Sequence, residues 1–405
     1  MTETAGAAHD WRGFLTRWSG EWADACDPDE VRDEGDEEAL RTRWLGFAPA
    51  TTARVTALEE RVGRPLPPSY RSFLDVTDGW RHAGGFVWRL AGAEHARWQE
   101  DENGLTEMFL EHLDEDATPE QIQEATVWAR GLRLDVETDA VSIALDPRDV
   151  DEHGEWAVLT WAPWRASPPE RYASFWEFMR DMYRQFHHLG ASRDEGRFVN
   201  ATTQALDAAV EEARRDALRG DYERAERAIA EAESFGRPRA SALRDQIRRL
   251  LGDFGHGDFR GLATDPVYAA ELLPVLAARH VAHRRHDSGW KVETPTPRED
   301  VRTAADEALR QARQASFRYD PGGAFGAAVD AARERARWGE ADAAWRTLLE
   351  ALPEWRPLGP HHLASRRPVR RRGPRPAAHA GAGPGAARHP QGRGGGRRPP
   401  RGRRP

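Results

Sequence analysis

Apolar residues recur at three- and four-residue spacing through Trp11, Phe14, Leu15, Trp18 and Trp22, which predicts an amphipathic helix within residues 1–26 that docks its aromatic stripe on the next domain. Residues 27–38 are acid-rich, with Pro28 and Gly35, and read as a solvated linker. A denser pattern occupies residues 39–190. Thr51 or Thr52 can cap a helix with Val55, Leu58 and Val62 on its inner face; Gly63 stops it and Pro65 prevents a restart. Pro67 and Pro68 open a second short helix, where a missing N–H costs nothing. Tyr70, Phe73 and Leu74 form its inner stripe, and Asp78-Gly79 turns the chain. Strand patterns cover Phe86–Leu90, Ala140–Leu145 and Trp156–Trp161, and a long helix runs from Ser174 to Leu189 over Phe175, Phe178, Met179, Met182 and Phe186. Strands framed by helices without regular βαβ alternation predict an α+β domain with a mainly antiparallel sheet.

Strand signals vanish after Gly190. Residues 200–358 are rich in Ala, Arg and Glu with helical periodicity, and they repeat without gaps at an offset of 119 residues. Ala209, Val210, Ala213, Arg214, Gly220, Ala225 and Ala232 fall on Ala328, Val329, Ala332, Arg333, Gly339, Ala344 and Ala351. Each copy reads as helix, Gly turn, helix, with Ala allowing a close crossing. The first copy, through Gly220, Tyr222, Ala225 and Ala232, resembles a tetratricopeptide hairpin; the second has Ala341 at the Tyr position. A helical module capping the preceding domain fits the pattern as well as a repeat array does.

Charge divides the chain. The net charge is −8, but residues 366–405 hold 13 arginines and no acid, leaving 46 basic against 67 acidic residues, or −21, for the remainder. So acidic a body favours basic partners and repels nucleic acid. The tail, 359–405, is expected to be disordered: after Ser365 it has no aromatic and almost no branched apolar residue to bury. It is the one segment with the charge to reach nucleic acid. Its abrupt onset in Arg, Pro, Gly and Ala, all encodable by GC-only codons, points to a frameshift near Ser365. Cys26 is the single cysteine and no apolar run is long enough for a membrane helix, so a reducing, cytoplasmic setting is expected.

The residues do not assemble catalytic chemistry. His280, His283 and His286 fan around a helix too widely to share one ion, and the kinase-like letters of Asp253-Phe254-Gly255 lack a Gly-rich loop and an upstream lysine. No cofactor, metal or catalytic residue is expected, and the chain is expected not to be an enzyme. Tryptophan is in excess, with 12 of 16 before residue 180. Trp80, Trp161 and Trp164 fall beside turns or strand ends, where amphipathic rings often serve interfaces, and Asp78, Asp149 and Asp151 are acidic neighbours. These six form the expected partner-binding group.

The stretch from Leu58 to Arg81 resembles the SUKH superfamily of the SMI/KNR type. Glu59, Gly63, Leu66, Pro67, Tyr70, Phe73, Leu74 and Gly79 stand on the family's positions, and the later strands and closing helix look like its second part. The resemblance spans about residues 39–190. It implies a non-catalytic protein-binding module, an immunity-type protein that blocks a toxin or other basic effector, with a regulatory scaffold serving several clients as the alternative. The matched positions are core and turn residues, so they speak for fold and hardly for partner.

Overall fold

Two short helices meeting at a tight corner organise the structure, a computed structural model that describes residues 9–27, 31, 33–101, 103–193, 198–251, 307, 310, 311, 313, 314, 323–356 and 363. The corner is built from α3 (Thr52–Val62) and α4 (Pro68–Leu74). Thr51 caps α3 by accepting from Arg54 N, and Gly63 ends it at φ +74°. Glu59 then joins the helices, accepting from Leu66 N at 3.2 Å and from Arg71 Nη1 at 2.6 Å. Tyr70, Phe73 and Leu74 are fully buried, and the Tyr70 hydroxyl donates to the Ala91 carbonyl.

Beyond the corner the chain makes two antiparallel sheets. Strands β1 (Trp80–Ala83), β2 (Val87–Leu90) and β5 (Asp135–Thr138) form one, in the order β1-β2-β5. The other has the order β3-β4-β6-β7-β8, from Arg97–Trp98, Leu132–Arg133, Ser142–Val150, Trp156–Trp161 and Glu170–Tyr172. The chain passes from β4 into β5 through Leu134, whose N–H donates to Ile143 O and whose carbonyl accepts from Ala91 N. Helices α5 (Leu105–Glu111) and α6 (Pro119–Ala125) fall between β3 and β4. The closing helix α7 (Phe175–Arg193) buries Phe175, Phe178, Met179 and Met182. The α+β expectation with antiparallel sheets is met, followed by a helical segment.

Two expectations need correction. The acidic stretch is not a linker throughout: α2 (Glu34–Thr42) begins inside it, capped by Asp33, with Asp36 and Ala39 buried. Acids at an N-cap and first turn complement the exposed N–H groups and dipole there, so this run of charge starts a helix. Nor does the packed domain begin at residue 39. Helix α1 (Trp11–Ala25) places Trp11, Leu15 and Trp18 at 2%, 0% and 0% exposure in the same core as Phe73, Trp80 and Phe175. Burying three such side chains contributes about 5–9 kcal/mol, comparable with the whole stability of an ordinary domain.

The helical segment follows as α8 (Ala201–Arg219), α9 (Tyr222–Ser234) and α10 (Pro238–Leu251), then a separate hairpin of α11 (Gly323–Arg337) and α12 (Ala341–Ala351). Gly220 and Gly339 end the leading helices at φ +91° and +80°. Ala213, Ala225 and their counterparts Ala332 and Ala344 are all buried at the crossings. The first hairpin rests on the α+β domain: Phe235 joins its core, and Thr202 bonds Tyr183. One residue of the expected disordered tail 359–405 is packed instead: Leu363 is buried in the cluster of α8, α9 and α10, and its N–H donates to Gln246 Oε1 at 2.7 Å. The proposed frameshift near Ser365 and the chain beyond it, the His280–His286 cluster and Asp253-Phe254-Gly255 lie outside the described residues.

Candidate functional site

The family-pattern residues serve the fold. Glu59, Gly63, Leu66 and Pro67 shape the α3–α4 corner, Tyr70, Phe73 and Leu74 fill the core, and Gly79 turns the chain at φ +113°. None presents a side chain organised for catalysis. Among the described residues, no group of three His, Cys, Asp or Glu could hold a metal ion, and no helix is long and apolar enough to cross a membrane.

The six residues expected to face a partner are not brought together. Trp80 is the clearest correction: it is fully buried in β1, between Trp18 at 5.6 Å and Trp44 at 5.5 Å. A turn lies beside it, but α1 and Trp44 cover it. Asp78 is nearly buried as well, accepting from Ala93 N at 2.6 Å and pairing with Arg54 at 2.9 Å. Trp161, half-buried, meets Phe109 edge-on at 5.4 Å. Trp164 is 46% exposed, lies on Phe86 and donates from Nε1 to Asp139 O. Asp149 pairs with Arg171 at 2.6 Å, whereas exposed Asp151 accepts from the N–H groups of His153 and Glu155 to shape the β6–β7 turn.

The geometry instead concentrates charge on α5, α6 and their connection. Residues 99–129 contain ten acids and neither Lys nor Arg. Glu107, Glu111, Asp114, Glu115, Asp116, Glu120 and Glu124 are all exposed, and no ion pair forms with any of them among the described residues. A sheet fixes this surface from beneath. Leu105, Met108 and Phe109 pack with Val127, Trp128, Ala144, Ala157, Leu159 and Trp161 as a second apolar cluster. Thr118 and Gln121 form a reciprocal cap at the start of α6. There, hydrogen bonds from the helix backbone and from Thr118 hold the Glu120 carboxyl below its ordinary pKa. Leu110 and Ile122, 40% and 44% exposed, stand among the acids. The acidic field reaches the second sheet's edge: Arg171 has a raised pKa through its bond to Asp149, with Glu124 and Asp146 adding to it. The signal was open in the sequence as a 31-residue run without Lys or Arg, but short helices with few apolar positions drew no helical pattern.

A different polar group is sealed inside. Glu21 of α1 accepts from Tyr183 Oη at 2.5 Å, Thr202 Oγ1 at 2.7 Å and His187 Nε2 at 2.9 Å. Burial works against the charge, yet the bonds from His187, Thr202 and Tyr183 outweigh it and hold the Glu21 carboxyl below its ordinary value. The three donors come from α7 and α8, so this cluster is a clasp between elements.

Comparison with known proteins agrees with the corner motif. Searches of curated proteins and of solved structures returned no match. A scan against protein families matches residues 49–181 to the SMI1 / KNR4 family (SUKH-1), leaving α1, α2 and the helical segment outside, and gives no support to the tetratricopeptide resemblance. Helices α3 and α4, both sheets and the first turns of α7 therefore make up an SMI1 / KNR4 family (SUKH-1) domain.

Proposed function

We propose that this chain is a non-catalytic, immunity-type binding protein that occludes a basic effector, a toxin being the class the family suggests, with α5 and α6 as the docking face. The observation that supports this reading is the seven exposed acids from Glu107 to Glu124, none in an ion pair among the described residues, on a sheet-backed surface. Like charges held together without counter-ions cost stability, but they steer a basic partner and can raise its association rate by roughly 10–10³-fold. Leu110 and Ile122 would supply the apolar contact that charge alone does not. A reducing cytoplasmic setting suits such a role. Capture from the native host with the full chain tests the reading, alongside a variant carrying Gln at Glu107, Glu111, Glu120 and Glu124. A basic protein should be recovered by the parent and lost, or bound at least about tenfold more slowly, by the variant. Recovery of the same partner at the same rate by both would sink the assignment.

A second reading, a scaffold with another client, rests on α11 and α12. Trp338 and Trp345 are 77% and 58% exposed there, far more than tryptophan usually is. Deleting residues 323–356 would leave the first partner bound and remove a second if this reading holds.

A further inference from the structure

On the three-stranded sheet, two arginines face each other across a strand pair. Arg81 of β1 and Arg89 of β2 are direct partners in the register. Residues directly opposite place their Cβ atoms about 4.5–5.5 Å apart, and like charges in that position are destabilising. Both guanidiniums lie over one ring: Arg81 Cζ is 4.0 Å and Arg89 Cζ 5.2 Å from the centre of Phe47. Phe47 is itself fixed, its N–H donating to Thr77 Oγ1 at 2.7 Å, beside the Gly46–Trp80 bridge. Gly35 makes room for the arrangement, because a Cβ there would lie 2.7 Å from Arg81 Nη2.

Neither arginine has a carboxylate within ion-pairing distance among the described residues. Glu137 is the register partner of Arg89 on its other side, where the pairing shifts on both flanks of Arg89, and no ion pair forms between them. Arg43, Arg54, Arg71, Arg130 and Arg171 of the same domain each pair with an acid. Burial pushes the Arg81 guanidinium's pKa down; Asp33 opposes this and Arg89 adds to it. Two half-buried cations pressed on one ring, with no carboxylate at ion-pairing distance among the described residues, describe a site that can take an anion.

We propose that Arg81 and Arg89, laid on Phe47, bind a single carboxylate group. Guanidiniums offer planar donor forks that match a carboxylate's two oxygens, and the phenyl ring holds both forks in place without competing for their N–H groups. The surroundings select charge. Asp33, Asp36 and Glu137 lie close by and would oppose a phosphate dianion more strongly than a carboxylate monoanion. The site belongs to the sheet β1-β2-β5, apart from α5 and α6, and does not depend on their role.

Trifluoroacetate serves as the probe, its ¹⁹F line observed with the full chain at constant ionic strength. The line should broaden saturably. Arg81→Gln or Arg89→Gln should weaken the apparent affinity at least about tenfold, the loss expected for a charge-assisted hydrogen bond. Acetate should reverse the broadening at lower concentration than phosphate. Arg89→Lys, which keeps the charge but loses the fork, should bind weakly while melting like the parent, so a folding defect in the Gln variants is distinguishable. A line that stays sharp, or broadening equal in parent and both Gln variants, overturns the site; reversal by phosphate at lower concentration than acetate overturns the carboxylate assignment.

Discussion

Gly79 sits at φ +113°, and a Cβ there would come 3.0 Å from the Leu90 carbonyl oxygen and 3.3 Å from Gly92 N. The backbone neighbours cannot yield as a side chain would. Gly79→Val should therefore lose at least about 1 kcal/mol from conformation alone, with crowding added. Its melting temperature should fall by several degrees; an unchanged melting curve would contradict the turn. Glu21 makes a pH-dependent contribution. Its folded pKa lies below the unfolded carboxylate value, so its stabilisation is fully present above about pH 4.3 and disappears as pH falls through the folded value. Glu21→Gln should melt lower than the parent at neutral pH, by an amount that shrinks as pH falls below about 4. A gap that widens on acidification would contradict that sign. Gly79 was legible because Asp78-Gly79 after a Pro-led helix needs a turn whatever packs around it. The fate of Trp80 was not, since it depends on Trp18, 62 positions earlier in the chain.

At the scale of elements, α1 decides whether the family domain can stand alone. The matched residues 49–181 contain most of the core but not Trp11, Leu15 or Trp18, which cover Phe73, Trp80 and Phe175. A fragment of residues 39–190 loses about 5–9 kcal/mol of burial and should lack a cooperative melting transition, while residues 9–193 should melt cooperatively. Circular dichroism of both fragments checks this, and a sharp transition from the shorter one would mean α1 is dispensable. The corner of α3 and α4 was readable because caps, Gly and Pro are local signals. Helix α2 was hidden because its acids resemble a solvated run, and its burial of Asp36 is settled by His82, 2.8 Å away. Strands β3, β4 and β8 have two or three residues each, too few to show alternation.

For the whole molecule, charge separates the acidic body from the basic tail, and a basic partner should feel the body's field first. Association with the captured partner should slow at least about tenfold as salt rises from about 0.05 to 0.5 M, where the screening length falls well below 10 Å. Rates indifferent to salt would remove electrostatics from the mechanism. The clasp of Glu21 with Tyr183 and His187 has a further consequence during synthesis. Its partners are 162 and 166 residues apart in the chain. A ribosome adding about 5–20 residues per second therefore leaves the tryptophans of α1 without the α7 side of their bed for about 8–30 s, although Phe73 and Trp80 are made earlier. Over that interval the nascent chain exposes an apolar aromatic helix and depends on a chaperone or on its acidic neighbours to stay unaggregated. A force-sensing arrest sequence placed at successive lengths should register core formation only once α7 has left the exit tunnel, and an earlier signal would show that α1 finds a temporary partner.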